Sequence, residues 1–179
     1  RMPSSLIFLE LTPENGPVIK GEATAAGFED LIEVDTVSFG AKGKAAVNST
    51  SNTARAQKPR MEYETVDITR PYDSASPRLM VRHTAGHKFK TAKFTFDRPL
   101  DEVGVGKQAN PLLRVTLFNV YIDSFKVTTN PSSKSSAVNE EMSLSFDGIE
   151  FTYYPQSAAH DKRQGAVTYR YDRPRTAGN

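Results

Sequence analysis

Along most of this chain, apolar and polar residues alternate at every second position. "SLIFLEL" (5–11) gives a first strand. In "LIEVDTVSFG" (31–40) the apolar phase runs through Ile32 and Val34, then shifts to Val37 and Phe39. Such a phase shift predicts a kink or bulge. "RMEYETVDI" (60–68) predicts a strand with Met61, Tyr63, Thr65 and Asp67 on one face and Glu62, Glu64, Val66 and Ile68 on the other. "TAKFTFDR" (91–98) sets Phe94 and Phe96 on one face against Lys93, Thr95 and Asp97. "LLRVTLFNVYIDSFKVT" (112–128) is long enough for a bent strand or a strand pair. "EMSLSFDGIEFTYY" (141–154) reads as two strands around an Asp147-Gly148 turn or bulge, and "AVTYRYD" (166–172) alternates Val167, Tyr169 and Tyr171. Six to eight strands rich in Phe, Tyr, Val, Ile and Thr define a mainly β chain.

One short stretch has a different rhythm. In "DSASPRLMVRHTAGHKF" (73–89), Ser76 suits a helix N-cap, and Pro77 suits the first helical turn, where its missing N–H costs nothing. Gly86 suits the left-handed residue just past the end. A helix over about 76–85 is too short to stand alone. It is therefore expected to dock on the sheet through Ser76, Pro77, Leu79 and Met80. Two other stretches carry no element by pattern. They are the polar "GAKGKAAVNSTSNTARAQKP" (40–59) and "TTNPSSKSSAVNEE" (128–141). A loop of the first one's length inside a compact domain points to a function for it.

Bulk composition narrows the classes. The chain has 179 residues, enough for a single core, with 37% hydrophobic and 25% charged residues. Its 23 basic and 21 acidic residues are interleaved without a basic stripe, so no nucleic-acid partner is expected. There are no cysteines, which excludes a disulfide framework and a Cys-ligated metal site. The run Leu6-Ile7-Phe8-Leu9 is far below the roughly 18 residues of a membrane span, and too short for the apolar core of a signal peptide. No membrane insertion and no classical leader are expected.

Candidate chemistry is thin. His83 and His87 have the spacing of a helical metal pair, but Gly86 falls between them, and His160 lies in a loop-like stretch. They read as solvated or helix-capping histidines. The neighbouring acids Glu140-Glu141 and Asp101-Glu102 point to opposite sides of a strand, which makes poor acid–base pairs, and they read as a solvated edge. No serine occupies a G-x-S-x-G elbow, and "GVGKQ" (104–108) lacks the glycine spacing and the Ser/Thr of a phosphate loop. No catalytic, cofactor or metal residue is assigned, and the chain is not expected to be an enzyme. Other candidates are a β-barrel that binds a small apolar ligand, which would use Phe94, Phe96, Phe151, Tyr153 and Tyr154, and a hydrolase effector, for which no second domain is available.

Several blocks occur in a telling order: "VIKGEA" (18–23), "FEDLIEVDTVSFG" (28–40), the long polar loop, "VDITRPYDSASPRLM" (66–80), "FKTAKFTFDR" (89–98), "LFNVYIDSFKV" (117–127) and "EEMSLSFDGIEFTYYPQ" (140–156). In order and spacing the chain resembles the hemolysin-coregulated protein (Hcp) family, which forms the inner tube of the type VI secretion system. The resemblance runs from about residue 5 to 172. It departs from the family at Ala23, where Ser is frequent, and in "PLDEVGVGKQANPLL".

The resemblance implies a compact β-barrel of two antiparallel sheets with one flanking helix. It implies a single domain over 2–172 with an extended loop at about 41–60 and a flexible tail at 173–179. Copies would assemble into hexameric rings that stack into a secreted tube. Partners would be the chain itself, the sheath and spike components, and small effectors held in the lumen. The protein would lie in the bacterial cytoplasm until firing and then leave the cell without a signal peptide. Lys42, Lys44, Val47, Asn48, Arg55 and Lys58 of the extended loop become candidates for contacts between subunits and rings.

Overall fold

A computed structural model describes residues 7–44, 60–98, 109–129, 138–155 and 165–174. Along the chain come β1 (Ile7–Pro13), β2 (Ile32–Val34), β3 (Thr36–Ser38), β4 (Ala41–Lys44), β5 (Arg60–Tyr63) and β6 (Val66–Pro71). The single helix among the described residues, α1 (Ser76–Thr84), follows. Then come β7 (Phe89–Asp97), β8 (Pro111–Thr129), β9 (Val138–Ser145), β10 (Gly148–Tyr153) and β11 (Val167–Asp172). All pairings are antiparallel.

Two sheets share one strand. The first runs β2-β1-β7-β8-β10-β11, and the second runs β8-β9-β6-β3. The 19-residue β8 belongs to both. Its first half pairs with β7 and β10, and its second half, from Tyr121, pairs with β9. Asn119, at the junction, has φ 52°, in the left-handed region that Asn tolerates better than most side chains. The register then slips between Ile122 and Ser124. The sequence left open a bent strand or a pair; the structure shows one bent strand. β9 and β10 do not pair with each other across Asp147-Gly148, because each takes a different half of β8.

The fold class is the expected one, two antiparallel sheets and one helix, but the ladders do not close into a barrel. The path ends at β2 and β3, three residues each, and the chain itself joins them through Asp35. The Asp35 N–H donates to the Thr69 carbonyl at 2.9 Å across this seam. This is the place where the apolar phase shifts from Ile32/Val34 to Val37/Phe39.

Alternation explains the core. Leu9, Leu11, Ala92, Phe94, Val115, Leu117 and Ile149 from the first sheet are fully buried. They face Val66, Ile68, Met142 and Leu144 from the second within one apolar cluster. Phe94, one of the residues a ligand-binding barrel would use, is a fully buried member of this cluster. A smaller cluster covers the other side of β1, where Phe8 and Phe28 stack with ring centroids 4.2 Å apart beside Ala23.

Candidate functional site

The helix is fastened by a buried charge cluster. On β6, side chains at Val66, Ile68 and Arg70 point inward, and on β9 so do Glu140, Met142 and Leu144. Arg70 and Glu140 stand directly opposite each other and are both fully buried. Their ion pair joins Arg70 Nη1 to Glu140 Oε1. Arg70 Nη1 also donates to Ser76 Oγ at 3.2 Å, and Nη2 lies 2.5 Å from Asp73 Oδ1. Arg70 Nε reaches the Glu33 carbonyl of β2 at 3.4 Å. One guanidinium thus ties β6, β9, β2 and the start of α1 together.

The start of the helix differs from the expectation. Ala75 is the N-cap and Ser76 is already helical. No side chain caps the helix, and Asp73 instead holds the turn before it: its carboxylate accepts from the Ala75 N–H at 2.8 Å, while the Asp73 N–H donates to Ser76 Oγ at 3.0 Å. Of the four expected docking residues, Ser76 and Leu79 are fully buried. Pro77 and Met80 are exposed. Successive helical positions are about 100° apart, and with Leu79 at the centre of the docked face Met80 falls to its exposed margin. The far end forms as expected, with Gly86 at φ 64°. The Gly86 N–H bonds to the His83 carbonyl and the His87 N–H to the Arg82 carbonyl, closing the last turn.

The histidines do not converge. His83 Nδ1 lies 2.7 Å from the Ile122 carbonyl, and His87 Nδ1 lies 3.4 Å from Arg82 Nη1. His160 is outside the described residues. No cluster of three or more acidic or histidine side chains suited to a metal is found among the described residues. The reading of Glu140 as a solvated edge is wrong. It is the fully buried partner of Arg70, whereas Glu141, next to it, faces outward near Lys126. Alternation carried the signal: Glu140 is in phase with Met142 and Leu144.

The long polar loop is not without structure. Its first residues pair as a two-stranded ribbon with β5, Ala41↔Tyr63 through Lys44↔Arg60, which joins neither sheet, and the strand expected over 60–68 divides into β5 and β6 around Glu64 and Thr65. Lys42, exposed on β4, forms an ion pair with Glu64 at the root of the ribbon, and the carboxylate beside it raises its ammonium pKa. Lys44 falls at the last position of β4. Val47, Asn48, Arg55 and Lys58 lie outside the described residues.

Aromatic side chains hold that root. Tyr63 packs against Phe146 and Tyr171, with centroids at 6.1 and 4.9 Å. Its hydroxyl donates to Tyr169 Oη at 3.4 Å, and the Tyr171 hydroxyl donates to the Met61 carbonyl at 3.1 Å. Burial, then the hydrogen bond to Tyr169, push the Tyr63 phenol up to about 12. Nothing in the sequence linked residue 63 to residues 169 and 171.

Beyond these tyrosines the apolar face of the first sheet comes to the surface. β11 pairs with β10 alone. Phe151 is half-buried, Tyr153 is exposed, and Tyr169 and Val167 stand 50% and 64% exposed. The opposite face of the same sheet is mixed, with the Phe8–Phe28 cluster at β1 and charged pairs beyond it. It carries the ion pairs Lys93–Glu10 and Arg170–Glu150, with the Arg170 guanidinium 4.4 Å above the Phe118 ring. Phe39 packs on Phe151 of this face, while Tyr153, Val167 and Tyr169 stay exposed among the described residues, and exposed aromatic residues suit contact with another protein surface.

The family model for the type VI secretion system effector Hcp matches residues 8–153. The chain belongs to the Hcp family. Protein hcp1 of Pseudomonas aeruginosa is 27% identical over 110 residues, which is 62% of this chain. The alignment spans 64% of that relative's length. Among solved structures, Hcp1 from E. coli EAEC 042 superimposes with a TM-score of 0.70 at 20% identity, over 94% of this chain and 99% of the other. A type six secretion system protein gives a TM-score of 0.73 at 16% identity, over 93% and 95%. Hcp1 from Salmonella typhimurium gives 0.64 at 18%, over 93% and 94%. At such identities the likeness is one of fold.

Proposed function

We propose that this chain is a tube subunit of a type VI secretion system. Six copies close into a ring, and rings stack into an inner tube that is secreted. The family match over residues 8–153 carries this reading. The exposed Tyr153, Val167 and Tyr169 of β10–β11 support it, since cyclic closure needs surfaces complementary to other surfaces of the same chain. The unit of assembly is the single domain over 2–172. The extended segment at 41–60, rooted in the β4–β5 ribbon, makes the contact between rings.

The role is assembly and not turnover. Sheath and spike components would meet the tube outside and at its tip, and small effectors would travel in its lumen. The protein would wait in the bacterial cytoplasm and leave through the secretion machine. Polar contacts suit rings that must come apart after delivery, because small wet interfaces are weak ones.

Native mass spectrometry of the purified protein tests the reading. A mass six times the 19.8 kDa of the subunit, with annular particles in negative stain, is the expected result. A monomer at all concentrations, or an open polymer without rings, would overturn it.

A further inference from the structure

A two-stranded ribbon in water is marginally stable at best. Among the described residues the β4–β5 ribbon joins no other sheet, so its placement against the body rests on the contacts at its root. At its root the Glu64 N–H donates to the Gly40 carbonyl at 2.9 Å. The Lys42–Glu64 ion pair beside it is solvent-exposed and therefore weak. A third contact is aromatic. Tyr63, the last residue of β5, is wedged between Phe146 and Tyr171, and Phe146 is a buried member of the core. Tyr171 completes the wedge by donating to the Met61 carbonyl, two residues further out along β5.

The two tyrosines of the wedge that lie outside the ribbon, Tyr169 and Tyr171, both belong to β11. Their register opposite Phe151 and Ile149 of β10 fixes them to the rigid sheet. The wedge therefore spans more than 100 residues of sequence and connects the last described strand to the root of the extended loop.

We infer that Tyr63, with Tyr169 and Tyr171, forms a latch that aims the ribbon, and so acts as a positioning device for ring-on-ring stacking. This rests on the tube reading above, which gives the extended segment its stacking role. Aromatic rings suit the task because they supply contact area at low conformational-entropy cost and resist rotation once wedged. Removing the ring at residue 63 frees the ribbon to swing, while the backbone pairing of β10 with β11 still holds in place the face assigned to ring closure. Stacking falls while ring closure stays.

The test compares wild type, Tyr63→Phe and Tyr63→Ala. Ring closure is read by native mass, stacking by sedimentation and negative stain, and ribbon order by hydrogen exchange at residues 60–63. Tyr63→Phe keeps the wedge and loses only a long 3.4 Å hydrogen bond, so it stacks like wild type. Tyr63→Ala keeps the ring mass, exchanges faster at 60–63, and needs a concentration higher by on the order of tenfold to stack. Rings that stack equally well in Tyr63→Ala overturn the inference alone, and so does a Tyr63→Ala that loses its rings together with its stacks. Wild-type protein that gives no rings overturns the tube reading and this inference with it.

Discussion

Arg70 sits between two carboxylates, Glu140 and Asp73, and the three are unequally exposed. Arg70 and Glu140 have no exposed side-chain area, while Asp73 retains 10%. Replacing Arg70 by Leu leaves Glu140 in the core with no cation, and its Oε2 has no hydrogen-bond partner even in the intact protein. Breaking a buried pair from one side costs about 3–5 kcal/mol. Replacing Glu140 by Leu is milder. The guanidinium keeps Asp73, Ser76 and the Glu33 carbonyl, and the loss is close to one charge-assisted hydrogen bond, about 2 kcal/mol. The double variant Arg70→Leu/Glu140→Leu puts apolar side chains where both charges were, and recovers most of the loss, to within about 2 kcal/mol of wild type. Urea unfolding followed by circular dichroism measures all three, and the double-mutant cycle isolates the coupling. The protein is expected to be stable by only about 5–15 kcal/mol in total, so the Arg70→Leu variant lies near the limit of folding. Equal costs for the two single variants, with an additive double variant, would refute the account of a shared guanidinium.

Three more outcomes follow from named contacts. Leu79→Ala should cost about 2–5 kcal/mol by leaving a hole under the helix, whereas Met80→Ala should change stability by less than about 0.5 kcal/mol, both read by thermal or urea melts. Asn119→Val should cost about 1–2 kcal/mol because a β-branched side chain resists the left-handed backbone at the bend of β8, and Asn119→Gly should be close to neutral by the same measurement. Tyr63 has its phenol raised to about 12 in the folded protein, against an unfolded value near 10. Its contribution is thus fully present below pH 10 and disappears as the pH rises toward 12. Melting curves from pH 8 to 12 should therefore fall more steeply for wild type than for Tyr63→Phe, and parallel curves would contradict the burial of that hydroxyl.

Much of the fold is legible in local pattern, because strands with one buried face write that face into every second residue. The alternation of Phe94 and Phe96 against Lys93 and Thr95 is the register seen in β7. The phase shift after Val34 marks the crossing at Asp35, and Gly86 marks the end of the helix. What the pattern could not carry is partnership across long separations. Arg70 and Glu140 are 70 residues apart, and two adjacent glutamates look like a wet edge unless the strand is known to begin at Val138. Only one half of the ribbon escaped notice, since β5 lies within the strand expected over 60–68. "AKGK" of β4 has no apolar alternation, because Ala41, Lys42 and Gly43 face solvent and leave no apolar trace.

β8 runs unbroken through both sheets. Load applied to one layer reaches the other along covalent bonds, without depending on the grip of side chains between them. To pull the layers apart, a force must strip β8 from β7 and β10 on one side or from β9 on the other, breaking many backbone bonds together. A particle built on such a spar resists shear as a single piece.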